Sequence, residues 1–131
     1  MYLYEAIKLG AMLKPQGFGG GSATKNADET CAFGAARDAI GQWSKDCNIM
    51  WPVVASLTHC PDCKTKMNPK RCESGATVIS VHLNDTHKWT REQIAEWLKP
   101  IEVAYYKKHP EQAPKEIEVK DHIETLCEAH I

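Results

Sequence analysis

Apolar residues at helical spacing predict a first helix over residues 2–13. Leu3 and Ile7 share one face of that helix, because residues four positions apart lie above one another. Pro15 then ends the helix, since proline removes a backbone donor and clashes with the preceding turn. The glycine-rich stretch 16–29 that follows favours a loop.

A second helix is predicted over residues 30–41, with Thr30 or Asp28 as its N-cap and Gly41 at its end. Its alanines recur at helical spacing and would let another element approach closely: Ala32, Ala35, Ala36 and Ala39. Cys31 at the start of the helix is either a reactive thiol or a small buried residue. Free cysteine is so often buried that the second interpretation is favoured.

The clearest helix begins at Thr90, where Thr-Arg-Glu-Gln has the form of a capping box. An apolar seam follows along one face: Ile94, Leu98, Ile101 and Tyr105. Pro100 predicts a kink near the middle, and Pro110 ends the helix. Beyond it the composition turns acidic, and a modest terminal helix is predicted from about Val119.

The cysteines and histidines of the middle segment carry the clearest chemical signal. Cys60 and Cys63 form a C-x2-C pair, and His82 and His87 form an H-x4-H pair after eighteen intervening residues. Two thiolates and two imidazoles are a tetrahedral zinc set, and these pair spacings fall within those of structural Cys2His2 sites. Four protein ligands leave no open coordination position, so Zn2+ here would be structural rather than catalytic.

Other ligand sets stay open. Cys72 could replace one histidine to give a Cys3His site, and His59 could also serve, although neighbouring residues seldom both reach one ion. Residues 76–83, which lead into the histidine pair, fit either a strand or the start of a helix. The absence of any metal is the remaining alternative.

Together these elements predict an α+β, mostly helical fold. It would comprise an N-terminal helical pair, a zinc-finger-like middle with a short β-hairpin, the helix kinked at Pro100 and an acidic C-terminal helix. At 131 residues the chain is expected to be a single domain over 1–131. Its parts are 1–50 (helical), 51–109 (zinc-finger-like, with the following helix) and 110–131 (acidic).

Composition narrows the class of protein. A hydrophobic fraction of 43%, a net charge of −1 and no long apolar run predict a globular chain without a membrane span. The N-terminus lacks the pattern of a signal peptide, so a cytoplasmic location is expected. The six cysteines are then reduced, some of them holding metal, rather than paired in disulfides. No role is predicted for Cys47 or Cys127.

A basic stretch lies between the two ligand pairs and could contact phosphates: Lys64, Lys66, Lys70 and Arg71. Nearby carboxylates largely cancel its charge, and the overall balance argues against a strongly basic nucleic-acid binder. A solvated loop beside a metal would have the same composition.

Several segments resemble small proteins encoded by bacteriophages and prophages. Cys-Pro-x-Cys is followed by His-Leu-Asn-Asp-x-His-x-Trp-x-Arg-Glu-x-Ile-Ala-x-Trp at 82–97, with Glu-Ala-Ile-x-Leu-Gly at 5–10 and Cys-Ala-x-Gly-Ala-Ala at 31–36. The resemblance implies a viral source, expression in the host cytoplasm and a shared metal site. It implies no reaction.

Three functions follow from these observations. The first is a zinc-stabilised adaptor that binds another protein. The second is a nucleic-acid-binding zinc finger that uses the basic loop 64–71. The third is a metal-dependent nuclease of the His-Asn-His kind, built on His82, Asn84, Asp85 and His87; it would leave Cys60 and Cys63 without partners, so a non-enzymatic role is favoured.

Overall fold

The computed structural model describes residues 1–43, 50–66 and 77–114. These ranges contain four α-helices: α1 (Leu3–Gly10), α2 (Ala32–Ile40), α3 (Thr77–Asp85) and α4 (Arg91–Lys108). They also contain three short 3-10 helices: Gly20–Ala23, Pro52–Ser56 and Pro110–Gln112. No β-strand occurs within them, only two isolated bridges. The mostly helical prediction is therefore confirmed, and residues 77–85 form a helix, not a strand.

Several predictions concern residues outside the described ranges. These are the acidic C-terminal helix, the ligand role of Cys72, the phosphate-contacting role of Lys70 and Arg71, and the state of Cys47 and Cys127.

The predicted N-terminal helical pair is present, and its helices touch at their smallest residues. A Cβ atom added at Gly10 of α1 would lie 1.8 Å from the carbonyl oxygen of Ala35 in α2. The backbones can approach this closely only because Gly10 has no side chain. Helix α2 ends at Gly41, whose φ of 67° lies in the left-handed region that glycine adopts easily.

The start of α2 differs from the expectation. Cys31 is the N-cap, and its Sγ accepts a hydrogen bond from the amide of Gly34 at 3.4 Å. The expected caps, Thr30 and Asp28, are wrong by one and three positions. Thr30 is buried and its hydroxyl oxygen instead accepts from Arg91 at 2.8 Å. Cys31 is 1% exposed, as the burial interpretation expected.

Helix α4 begins with the predicted capping box. The Thr90 hydroxyl accepts from the Gln93 amide at 3.0 Å, and the Gln93 side chain accepts from the Thr90 amide at 2.8 Å. The helix runs through Pro100 as one element of 18 residues and ends before Pro110. Pro100 thus lies within the helix without dividing it, and the kink stays a prediction.

Two buried charges of α4 reach the two ends of α1. The Glu102 carboxylate accepts from the amides of Leu3 and Tyr4, at 2.7 and 2.6 Å. The Arg91 guanidinium donates to the carbonyls of Ala11 and Lys14 just beyond the other end, at 3.3 and 2.8 Å. Both placements favour α1, because an anion at a helix N-terminus and a cation near its C-terminus interact favourably with the helix dipole.

Burial shifts the proton equilibria of both groups. It raises the pKa of Glu102 to about 7, against the lowering effect of the two amide bonds. It also lowers the pKa of Arg91. The two side chains are the polar exceptions in a helix face that is otherwise apolar and buried.

The apolar core draws on all three described ranges. Its largest buried side chains are Trp51, Phe33, Leu3, Ile7, Ile79, Leu83, Ile94 and Leu98. The rings of Phe33 and Trp51 meet edge to face with centroids 5.7 Å apart. The segment before the cysteine pair is therefore packed against the helices, which fixes where the pair emerges.

None of the described helices combines the length and the apolar character needed to cross a bilayer.

Candidate metal centre

Cys60 and Cys63 lie on a tight reversal of the backbone. The amide of Lys64 donates to the carbonyl of Cys60 at 3.0 Å, and the amide of Cys60 donates to that of Thr65 at the same distance. Lys64 has a φ of 64°, which closes the turn. The amide of Cys63 points at the Cys60 sulfur, with 3.5 Å between nitrogen and Sγ. The turn brings the two sulfurs close together.

A single antiparallel bridge, between His59 and Lys66, flanks this turn. The described residues thus contain one bridge pair where the sequence predicted a short β-hairpin.

The histidines come from the end of α3. His82 lies in its last turn, and the amide of His87, just past the end, donates to the carbonyl of His82 at 3.3 Å. Their rings are nearly perpendicular, at 83°, with Nε2 atoms 3.0 Å apart. The Nε2 of His82 also lies 3.3 Å from the Sγ of Cys63. The helix end therefore turns two imidazoles toward the cysteine turn.

The structure brings all four predicted ligands together. Cys60, Cys63, His82 and His87 each offer one ligand atom, and these atoms lie within 4.8 Å of one another. In a tetrahedral zinc site with bonds of 2.0–2.3 Å, neighbouring ligand atoms stand roughly 3.3–3.8 Å apart, so the set needs only small adjustments. These four residues can hold a metal ion. Cys60 is buried and Cys63 exposed, so the cluster lies at the edge of the core.

The hydrogen bonds around the Cys63 thiol favour metal binding. Hydrogen bonds from the hydroxyl and then the backbone of Thr65, followed by the two histidines, lower its pKa to about 5. The thiolate is the form of cysteine that binds metals. These contacts favour the thiolate form of Cys63.

Asp62, between the two cysteines, orients one of the ligands. One of its oxygens, Oδ2, lies 3.3 Å from Nδ1 of His87 and accepts from the indole nitrogen of Trp89 at 3.0 Å. A carboxylate on the far nitrogen of a ligating histidine fixes its tautomer and makes the other nitrogen a better ligand. This role of Asp62 is not predicted from the sequence. The available signal was an acidic residue inside the C-x2-C pair.

Asn84 joins α3 to the glycine-rich loop. Its side chain is fully buried, donates to the carbonyl of Gly17 at 2.8 Å and accepts from Gln16 at 2.7 Å. The same Gln16 amide donates to the carbonyl of Trp89 at 2.8 Å. The loop is thereby tied to both sides of the histidine pair. These bonds engage the amide of Asn84, which the nuclease hypothesis would need at a reaction centre.

The remaining candidate residues lie outside the cluster. Lys64 and Lys66 are exposed, and the Lys64 ammonium donates to the carbonyl of Pro61 at 2.9 Å. His59 is exposed with its Nδ1 beside the hydroxyl of Thr58, and it is not among the grouped ligands. Cys31, Cys60 and Cys63 form no disulfide among the described residues.

Comparison of the chain with protein-family models, with curated proteins and with solved structures gave no match.

Proposed function

We propose that the chain is a small zinc-stabilised protein that binds another protein, and that its metal is structural. The observation that supports this most is the convergence of two sulfurs and two imidazole nitrogens within 4.8 Å. Sulfur and imidazole ligands together suit zinc better than magnesium or calcium, which prefer oxygen. A set of four protein ligands has no position for a substrate or a reactive water.

The position of the ligands explains what the metal would stabilise. Cys60 belongs to the apolar core, whereas the rest of its turn is mostly exposed. The metal would join this turn to the end of α3, and through His87 to the loop that leads into α4. A metal ion in the cluster would stabilise this turn, which is too short and too exposed to be held by apolar contacts.

Protein binding is proposed because apolar side chains remain at the surface. Met12, Phe18 and Val103 are 78%, 52% and 47% exposed. Trp89 and Trp97 are only partly buried. The resemblance to phage-encoded proteins is consistent with an adaptor that acts on a host or viral partner in the host cytoplasm.

Elemental analysis of the purified chain tests the metal proposal. We expect one zinc per chain, its loss in the Cys60→Ser/Cys63→Ser double variant, and a lower melting temperature, because metal binding contributes to folding. The matched control is Cys31→Ser, which replaces a cysteine outside the cluster and should keep its zinc. An unchanged melting transition after complete chelation would refute a structural role.

Cobalt substitution tests whether the site is closed. Four-coordinate Co2+ absorbs visible light much more strongly than five- or six-coordinate Co2+. We expect an intense spectrum that added azide or other small anions do not alter. A spectrum that changes with such anions would reveal an open position and favour the metal-dependent enzyme instead.

Nucleic-acid binding is the second candidate, supported by the exposure of Lys64 and Lys66 beside the cluster. It requires affinity for mixed-sequence DNA or RNA that falls steeply with salt and weakens in Lys64→Gln/Lys66→Gln. No retention at low salt would reject it.

A further inference from the structure

A groove runs along the start of α4, between two tryptophans. It has a volume of about 450 Å³ and is lined by Trp89, Glu92, Gln93, Glu96 and Trp97. The groove is shallow and its lining is mostly apolar, with both indoles contributing to it, and the glutamates contribute carboxylates. This is the size of a site that takes one or a few side chains.

Trp89, on one side of the groove, is linked by hydrogen bonds to residues beside the metal centre. The indole nitrogen of Trp89 donates to the Asp62 oxygen that also faces His87. The backbone amide of Trp89 donates to the carbonyl of Leu83 at 3.0 Å. The orientation of Trp89 is therefore set by two residues, Asp62 and Leu83, that are sequence neighbours of the proposed ligands, whereas Trp97 is positioned by α4 itself.

The charges of the groove are incompletely balanced within the described residues. Glu96 forms an ion pair with Lys8 of α1. Glu92 is exposed and forms no ion pair with a described cation; it attracts the neighbouring Arg91 only at longer range, because that guanidinium bonds to backbone carbonyls. One carboxylate between two indoles thus remains to attract one positive charge.

Other aromatic rings of the chain already have a cation over their faces. Lys88 lies 4.4 Å from the ring centre of Phe18, Lys99 lies 5.8 Å from that of Tyr4, and Arg37 lies 5.7 Å from that of Trp43. Neither tryptophan of the groove has such a partner among the residues that the structure describes. Trp is the best of the aromatic rings for this interaction.

We propose that the Trp89/Trp97 groove is the docking site for a lysine or arginine side chain on a basic segment of the partner protein. The cation would lie between the indole faces and pair with Glu92. This inference rests on the proposed protein-binding function and names the chemistry of its partner. The carboxylates of Glu92 and Glu96 disfavour a carboxylate-rich segment as the occupant.

The test uses the full chain, loaded with zinc and labelled with 15N, and capped synthetic peptides as probes. One peptide carries a single lysine between glycines, and its match carries norleucine, which has the same stem without the charge. The four tryptophans of the chain give four indole signals, assigned with single Trp→Phe variants. We expect saturable shifts of the Trp89 and Trp97 signals with the lysine peptide and none for Trp43 or Trp51.

Variants test the role of the carboxylate. Glu92→Gln should weaken binding of the lysine peptide by about two- to fivefold, the range of an exposed ion pair. The control Glu111→Gln removes an exposed carboxylate outside the groove and should leave the affinity unchanged. Equal binding of the norleucine peptide, or equal affinity in Glu92→Gln, would refute a cationic occupant.

Two further outcomes would also overturn the proposal. The first is an absence of shifts at any peptide concentration. The second is binding that occurs only in a Lys70→Gln/Arg71→Gln variant, which would show that the basic segment of this same chain occupies the groove. Zinc content is measured on every sample. A zinc-loaded protein that ignores the peptide refutes only the docking site, whereas a peptide-binding protein without zinc refutes only the proposed metal function.

Discussion

The buried carboxylate of Glu102 makes a quantitative prediction about pH. Its pKa is about 7 in the folded protein, compared with an ordinary value of 4.5. The folded state therefore binds this proton more tightly than the unfolded chain does. The contribution to stability is fully present below the unfolded pKa and is lost as the pH rises through the folded pKa. At about 1.4 kcal/mol per pKa unit, the full loss is roughly 3 kcal/mol.

The substitution Glu102→Gln isolates this effect, because glutamine stays neutral at every pH. Urea unfolding of both proteins at saturating zinc gives the free energy of unfolding at each pH. Between pH 5 and pH 8, we expect the value for the variant minus that for the wild type to rise by about 2.5 kcal/mol. The titration of the metal ligands cancels in this difference, since Glu102 contacts α1 and not the metal cluster.

A difference that stays constant with pH, or falls as the pH rises, would refute the reasoning. A fall would mean that the two amide bonds and the dipole of α1 outweigh burial, so that the carboxylate is ionised with a lowered pKa. Glu29→Gln, which removes an exposed carboxylate without an ion-pair partner among the described residues, is the control and should give a flat difference.

Three other substitutions test the remaining contacts. Asp62→Asn should weaken zinc affinity about 10- to 100-fold, measured by competition with a chromophoric chelator, and an unchanged affinity would exclude an orienting role. Arg91→Met should lower the free energy of unfolding by about 3 kcal/mol, because buried carbonyls lose their donor; a loss below about 1 kcal/mol would contradict this. Gly10→Ala should cost at least about 2 kcal/mol through collision with Ala35, whereas Gly21→Ala, with no atom within 4 Å of its new Cβ, should change little. Equal effects of the two glycine substitutions in urea unfolding would disprove the close contact.

Local signals in the sequence predict the local structure well. The capping box at Thr90 and the end of α2 at Gly41 involve atoms within a few residues, so the sequence contains the complete interaction. The two ligand pairs behave in the same way. The sequence spacing of each pair is enough to place its two side chains together. Contact between the cysteine turn and the end of α3 then brings all four ligands into one cluster.

Long-range partners explain what the sequence does not predict. The apolar pattern of α4 placed Ile101 and Tyr105 on the inner face, yet both are partly exposed, whereas Glu102 and Tyr106 are buried. A pattern of hydrophobic positions assigns glutamate to the solvent. Glu102 is buried because its partners are amides at the start of the chain, which no local rule reveals.

The polar supports of the metal centre were missed for the same reason. From sequence alone, Asp62 is one of the carboxylates near the basic stretch, and Asn84 is a candidate nuclease residue. Their contacts with Trp89 and Gly17 depend on how the loops are arranged in space.

The Glu102 carboxylate, which caps the first turn of α1, affects hydrogen exchange of the amides in that turn. First-turn amides of a helix have no carbonyl partner within the helix and ordinarily exchange readily with solvent. The amides of Leu3 and Tyr4 are instead bonded to a side chain 99 and 98 residues away. We expect these amides to exchange only when α4 separates from α1. Their exchange rates therefore report how often two segments near opposite ends of the described chain come apart. Their protection during refolding would then date the moment at which α4 docks on the start of α1.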